Sequence, residues 1–118
     1  MSWDINLIDK NTREVLHMPE KHHFRGANYV IGGTTECSMN ITYNYSPLYR
    51  KAFPDNGINV INGKTGEESV PLIAKMIGSL GDDRDDDYWK ATEGNAKQPL
   101  FALLVFAAQH PEGIWEVD

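Results

Sequence analysis

The segment Asp82-Asp83-Arg84-Asp85-Asp86-Asp87, followed at once by Tyr88-Trp89, holds the densest chemistry in the chain. Asp83, Asp85 and Asp87 stand at i, i+2 and i+4, the spacing with which a calcium loop converges carboxylate oxygens on one hard cation. The rest of that pattern is missing. A helix-loop-helix calcium site requires Gly at its sixth position and Glu at its twelfth, and this chain has Tyr88 and Gly94 there. Asp83, Asp85 and Asp87 are therefore a weak metal candidate, and a five-aspartate run between helices serves first as a solvated connection. The same run suits a protein-binding surface, because carboxylates that attract a basic partner sit beside two aromatic side chains of the kind that dominate binding energy. Asp82, Asp83, Asp85, Asp86, Asp87, Tyr88 and Trp89 are the candidate partner-binding residues.

The other motifs are weaker. Gly63-Lys64-Thr65 looks like the end of a phosphate-binding loop, but the Gly needed five positions earlier is replaced by Ile58. Helix capping by Thr65 and Glu68 explains the same residues. The single cysteine, Cys37, permits no internal disulfide and reads as a small buried hydrophobe. His17, His22, His23 and His110 have neither the spacing of a zinc site nor one that pairs a base with Cys37. From Cys37 to Tyr49 the chain is uncharged, and Asn40, Thr42 and Asn44 share one face of an expected strand. That face suits a small neutral ligand, or it is the wet side of an antiparallel sheet. Neither a Gly-x-Ser-x-Gly elbow nor a His-Glu-x-x-His helix occurs. The balance favours a protein that is not an enzyme and uses no cofactor.

A chain of 118 residues, 41% apolar and 24% charged, has the composition of one globular domain spanning residues 1–118. At this size roughly two-thirds of the unfolded surface is buried, enough for a core without staples. Met1-Ser2-Trp3-Asp4 has neither the basic nor the apolar region of a signal peptide, so the cytoplasm is the expected compartment. The net charge of −6 argues against direct binding to nucleic acid, which needs Lys and Arg to displace counterions. This charge is uneven. Residues 1–54 carry six basic and five acidic side chains, whereas residues 55–118 carry five basic and twelve acidic.

These groups are held by elements of two kinds. Trp3, Ile5 and Leu7 alternate with polar residues, and Asp9-Lys10-Asn11-Thr12 turns the chain toward Glu14 to Met18, which predicts a hairpin. A short run Tyr29-Val30-Ile31 ends at Gly32-Gly33. Alternation predicts a strand from Cys37 to Ser46, with Met39, Ile41, Tyr43 and Tyr45 on its core side. Leu48 to Phe53 fits a helical turn. A short turn from Thr65 and then a regular helix from Ser69 to Leu80 are expected, with Val70, Ile73, Ile77 and Leu80 as the buried stripe. The nine apolar residues Leu100 to Ala108 predict a core helix from near Asn95 to Gln109, buried all round and too short to span a membrane. Asn95 and Gln98 have the spacing of its cap, and Trp115 is expected to dock the tail onto the fold.

Thr65-Gly66-Glu67-Glu68-Ser69-Val70-Pro71, Asp86-Asp87-Tyr88-Trp89, Thr92-Glu93-Gly94-Asn95-Ala96 and His110-Pro111-Glu112-Gly113-Ile114-Trp115 together resemble a group of small uncharacterised bacterial and phage-associated proteins. The resemblance covers most of the chain from Asn40 onward and assigns no residue a role. It implies a setting in which inhibitors of host enzymes and toxin-neutralising proteins are frequent. The fold expected is α+β, a small antiparallel sheet from the N-terminal half packed against two C-terminal helices. The function expected is a small acidic inhibitor or binding protein whose partner has a basic surface, such as a nucleic-acid-handling defence enzyme or a toxin. The alternatives are a metal- or small-ligand-binding protein and a self-associating assembly component.

Overall fold

The computed structural model describes residues 1–26 and 30–118. Strand β1 (Ser2–Ile8) forms as its alternation requires, with Trp3, Ile5 and Leu7 buried and Asp4 turned to solvent. The expected turn follows, where the Asp9 carboxylate accepts from the N–H groups of Asn11 and Thr12 at 2.8 and 3.0 Å. The chain returns along β1 only as far as Leu16, whose N–H donates to the Leu7 carbonyl at 2.9 Å. The predicted hairpin is therefore cut short. The rest of that edge of β1 is taken by β4 (Ser38–Thr42), so β2 (His17–His22) diverges and pairs with β3 (Thr34–Glu36) in a separate two-stranded ribbon. Cys37 sits at the junction. Its N–H donates to Leu16 and its carbonyl accepts from Leu7. The short run expected at Tyr29 lies partly outside the described residues, and Val30 and Ile31 belong to no strand.

The main sheet is completed by β5 (Ile114–Val117), in the antiparallel order β4-β1-β5. Trp3 faces Ile41, Ile5 faces Met39 and Val117, and Leu7 faces Trp115. These pairs give the sheet one apolar inner face, with Asp4, Asn6, Ser38, Asn40 and Glu116 on the outer one. The tail therefore docks as expected, and does so as a strand. β4 stops at Thr42 rather than Ser46. The Thr42 hydroxyl caps a 3₁₀ turn (Tyr43–Tyr45), which runs into the short helix α1 (Ser46–Tyr49) with Pro47 in its first turn. A hydroxyl cap followed by Pro favours helical geometry over further strand, although Tyr45 still reaches the core.

The turn expected from Thr65 and the helix expected from Ser69 form one continuous helix, α2 (Gly66–Gly78), because Thr65 and Glu68 close a complete capping box. Its buried face is Gly66, Ser69, Ile73 and Met76, continued by Leu80, while Val70 faces outward. Helix α3 (Glu93–Gln109) is capped by Thr92, not Asn95. Leu100, Leu103, Phe106 and Ala107 enter the core, but Phe101 and Val105 remain 46% and 41% exposed, so the helix is not buried all round. α2 and α3 pack together against the inner face of the sheet, with Ile58 and Ile61 of a second 3₁₀ turn (Gly57–Ile61) between the elements. The architecture is the expected α+β arrangement. Among the described residues no helix is long and apolar enough to cross a membrane.

Candidate functional site

The acidic loop rests directly on the first turn of α3. Gly94 makes this approach possible, since a Cβ there would lie 2.5 Å from Arg84 Cγ and 2.6 Å from the Asp83 carbonyl oxygen. Its N–H donates to that carbonyl at 2.9 Å. Asn95, expected as a cap, instead holds the loop from beneath. Its side-chain oxygen accepts from the Asp85 N–H at 3.1 Å, and its amide donates to the carbonyls of Asp87 and Lys90 at 3.0 and 3.2 Å. The loop also braces itself, because Asp85 Oδ1 accepts from the Asp87 N–H and Asp87 Oδ1 from the Trp89 N–H, at 2.8 and 3.1 Å.

All seven candidate partner-binding residues thus share one braced loop, but they are not equivalent. Asp82 is paired with Lys97 at 2.7 Å and Asp85 with Lys90 at 3.4 Å. The side chains of Asp83 and Asp86 are exposed. Tyr88 packs inward, edge-on to Tyr45 at 5.5 Å, and the Tyr45 hydroxyl donates to the Tyr88 carbonyl. Burial pushes the phenols of Tyr45 and Tyr88 up, and that of fully buried Tyr49, which donates to the Ala96 carbonyl at 2.7 Å, well above the usual range. Trp89 alone among these aromatics stands in solvent, 51% exposed and perpendicular to Tyr88.

The other sequence candidates are dispersed. Because β4 ends at Thr42, Asn40, Thr42 and Asn44 do not share a face. Asn40 donates to Ser2 Oγ and Asp4 Oδ1, Thr42 is buried as a cap, and Asn44 donates to the Trp89 carbonyl at 2.9 Å. Asn44 thereby ties the expected ligand face to the acidic loop. Asp85 and Asp87 direct carboxylate oxygens at N–H groups of their own loop, and among the described residues no three His, Cys, Asp or Glu side chains are grouped to hold a metal ion. Cys37 is fully buried and its thiol is pushed up to about 11 by burial, the reverse of nucleophile activation. His17, His22 and His110 make hydrogen bonds to Thr35, the Glu36 carbonyl and the His17 carbonyl.

Two hollows lie on this side of the molecule, one adjoining the loop and the other sharing His23, Phe24 and Met39 with the first, and sequence reasoning missed both. One of about 800 Å³ runs beside α3 and includes Phe24, Arg84, Asp86, Tyr88, Phe101 and Val105 in its lining. The i, i+4 pair Phe101 and Val105 was its local signal. The other, about 420 Å³, lies over the outer face of the sheet, where Asp4, Glu36, Glu116 and Asp118 gather from three segments far apart in sequence.

Five carboxyls are held below their usual range. Asp82 is lowered by its bond to Lys97, Asp85 chiefly by the Asp87 N–H, Glu93 by Lys51, Glu68 by the Thr65 N–H, and Asp9 by the N–H groups of Thr12 and Asn11. A depressed folded value means that the stabilisation is complete above the ordinary values, 3.8 for Asp and 4.5 for Glu, and is lost as pH falls through the lower folded ones. The unfolding temperature should therefore fall on acidification below about pH 4.5, with a shallower fall in Asp82→Asn. Circular-dichroism melts across this range test it, and an unchanged acid limb in the variant counts against a role for the Lys97 pair.

Fold and loop together define a small α+β protein with a braced acidic surface. No family model, curated protein or solved structure matches the chain.

Proposed function

We propose that the protein is a non-catalytic binding protein that presents the loop of residues 82–89 to a basic protein partner. The observation that carries this reading is the bracing of the loop. Asn95, Gly94, Asn44 and the loop's own aspartates fix its backbone while Trp89, Asp83 and Asp86 stay exposed. A loop ordered during folding does not lose that entropy again on association, so a small contact area suffices. Exposed Trp is the residue type most enriched at binding hot spots, and the flanking carboxylates favour a cationic partner. The resemblance to phage-associated proteins makes a nucleic-acid-handling defence enzyme or a toxin the partner class to try first.

Immobilised protein should capture a basic protein from a bacterial host lysate at low salt, and retain roughly tenfold less of it in 0.5 M NaCl. An Asp83→Asn, Asp86→Asn, Trp89→Ala variant, shown to be folded by circular dichroism, should lose it. Identical capture by both proteins would sink the proposal. Retention only of further copies of the chain itself would replace it with the assembly reading.

A further inference from the structure

Resting on that reading, we infer that the partner's cationic side chain is received not on the loop but in the cleft over the outer face of the sheet. An apolar side chain of the same partner segment lies against Phe101 and Val105. On the loop, Lys97 and Lys90 already pair with Asp82 and Asp85 and Arg84 stands among the carboxylates, which leaves the exposed Asp83 and Asp86 to attract a basic partner without enclosing one of its side chains. In the cleft, by contrast, no Lys or Arg is among the described lining residues, which include Asp4, Glu36, Glu116 and Asp118. Arg13 engages Glu116. A concave surface lined by one sign of charge concentrates the field and attracts the opposite ion.

The cleft also has an aromatic wall. The Phe24 ring stacks on His22 at 4.7 Å, and both rest against Phe106 of α3, at 5.8 and 5.2 Å. Such a wall suits a planar guanidinium, which stacks on rings while its forked N–H groups bond carboxylates. The hollow beside α3 lies on the other side of it, since His23, Phe24 and Met39 line both spaces. There Phe24, Phe101 and Val105 are 39%, 46% and 41% exposed. The occupant that matches both sides is a partner segment with Arg next to a large apolar residue.

The test is an amide-shift titration of the ¹⁵N-labelled full chain with a capped hexapeptide of alternating leucine and arginine. Its control replaces arginine by glutamate. The arginine peptide should shift the amides of Asn6, Glu36, Asn40 and Phe101 and bind roughly tenfold tighter than the control. A Glu36→Gln, Asp118→Asn variant should weaken it roughly fivefold, and Phe101→Ser should weaken both peptides. Shifts confined to residues 82–89, unchanged affinity in the cleft variant, or no shifts at all would each overturn the inference. The first of these leaves the loop reading intact, and capture by the loop variant reports on that reading separately.

Discussion

Replacing Trp115 by alanine is expected to lower stability by about 4 kcal/mol, a large share of what a domain this size possesses. Trp115 is 1% exposed and joins three elements that are distant in sequence. From β5 it faces Leu7 across the sheet, and its indole N–H donates to Ser69 Oγ in α2 at 2.7 Å. Ser69 passes that bond on to the Gly66 carbonyl at 2.7 Å. Gly66 lies so near the end of α3 that a Cβ would come within 2.4 Å of the His110 carbonyl oxygen. Truncating the indole loses its transfer free energy and leaves a cavity that this tight meeting of α2, α3 and β5 has little room to close. Trp115→Phe keeps most of the volume and loses the bond, for about 1 to 2 kcal/mol, and Ser69→Ala leaves the indole N–H buried without its acceptor at a similar cost. Urea unfolding followed by circular dichroism measures all three, and a Phe/Ala double-mutant cycle isolates the bond. An alanine variant within about 1 kcal/mol of the parent would show that the core does not depend on this side chain.

The capping box of α2 was legible because both its halves are local. Thr65 and Glu68 need only each other and the first turn between them. The phase of the helix was not, since the choice between Val70 and Ser69 as the inward residue is made by Trp115, forty-six residues on. Periodicity found β4 but carried it too far. Tyr43 and Tyr45 keep the alternation, yet Thr42 and Pro47 supply a cap and a helix start, and local backbone bonding decides where the strand ends. The shortened hairpin has the opposite cause. Its turn chemistry is local to Asp9 and forms, but competition from β4 for one edge of β1 sends the second arm away after Leu16.

The candidate site divides in the same way. Composition alone located the acidic loop and its aromatics. It did not tell the inward Tyr88 from the outward Trp89, nor the paired Asp82 and Asp85 from the exposed Asp83 and Asp86, because those distinctions come from Tyr45, Lys97 and Lys90. The α3 run also misled by its apolar completeness. Nine unbroken apolar residues imply burial on every side, but one sheet and one neighbouring helix cover only part of a helix's circumference, and Phe101 and Val105 are left at the open side.

Asn95→Ala is the second large effect, expected to cost about 3 kcal/mol from three hydrogen bonds at roughly 1 kcal/mol each, the Asp87 and Lys90 carbonyls each keeping one backbone bond, from the Lys90 and Thr92 N–H groups. Asn95 is only 6% exposed, and its side-chain amide reaches the Asp85 N–H and the Asp87 and Lys90 carbonyls together. Asn95→Asp should be no better, because a carboxylate can accept from Asp85 but cannot donate to either carbonyl, and it adds a charge beneath five others. The helix cap should survive in both variants, since it belongs to Thr92. The damage is therefore expected to be local first. Amide exchange should speed up at Asp85, Asp87 and Trp89 while that of the α3 core residues Leu103 and Phe106 follows only the global loss. If those loop amides exchange as in the parent, Asn95 is not what orders the loop. The same variant also separates two kinds of surface. A loop that works through a preset shape should lose partner capture in Asn95→Ala although Asp83, Asp86 and Trp89 are all still present, whereas a surface that works through charge alone should keep it.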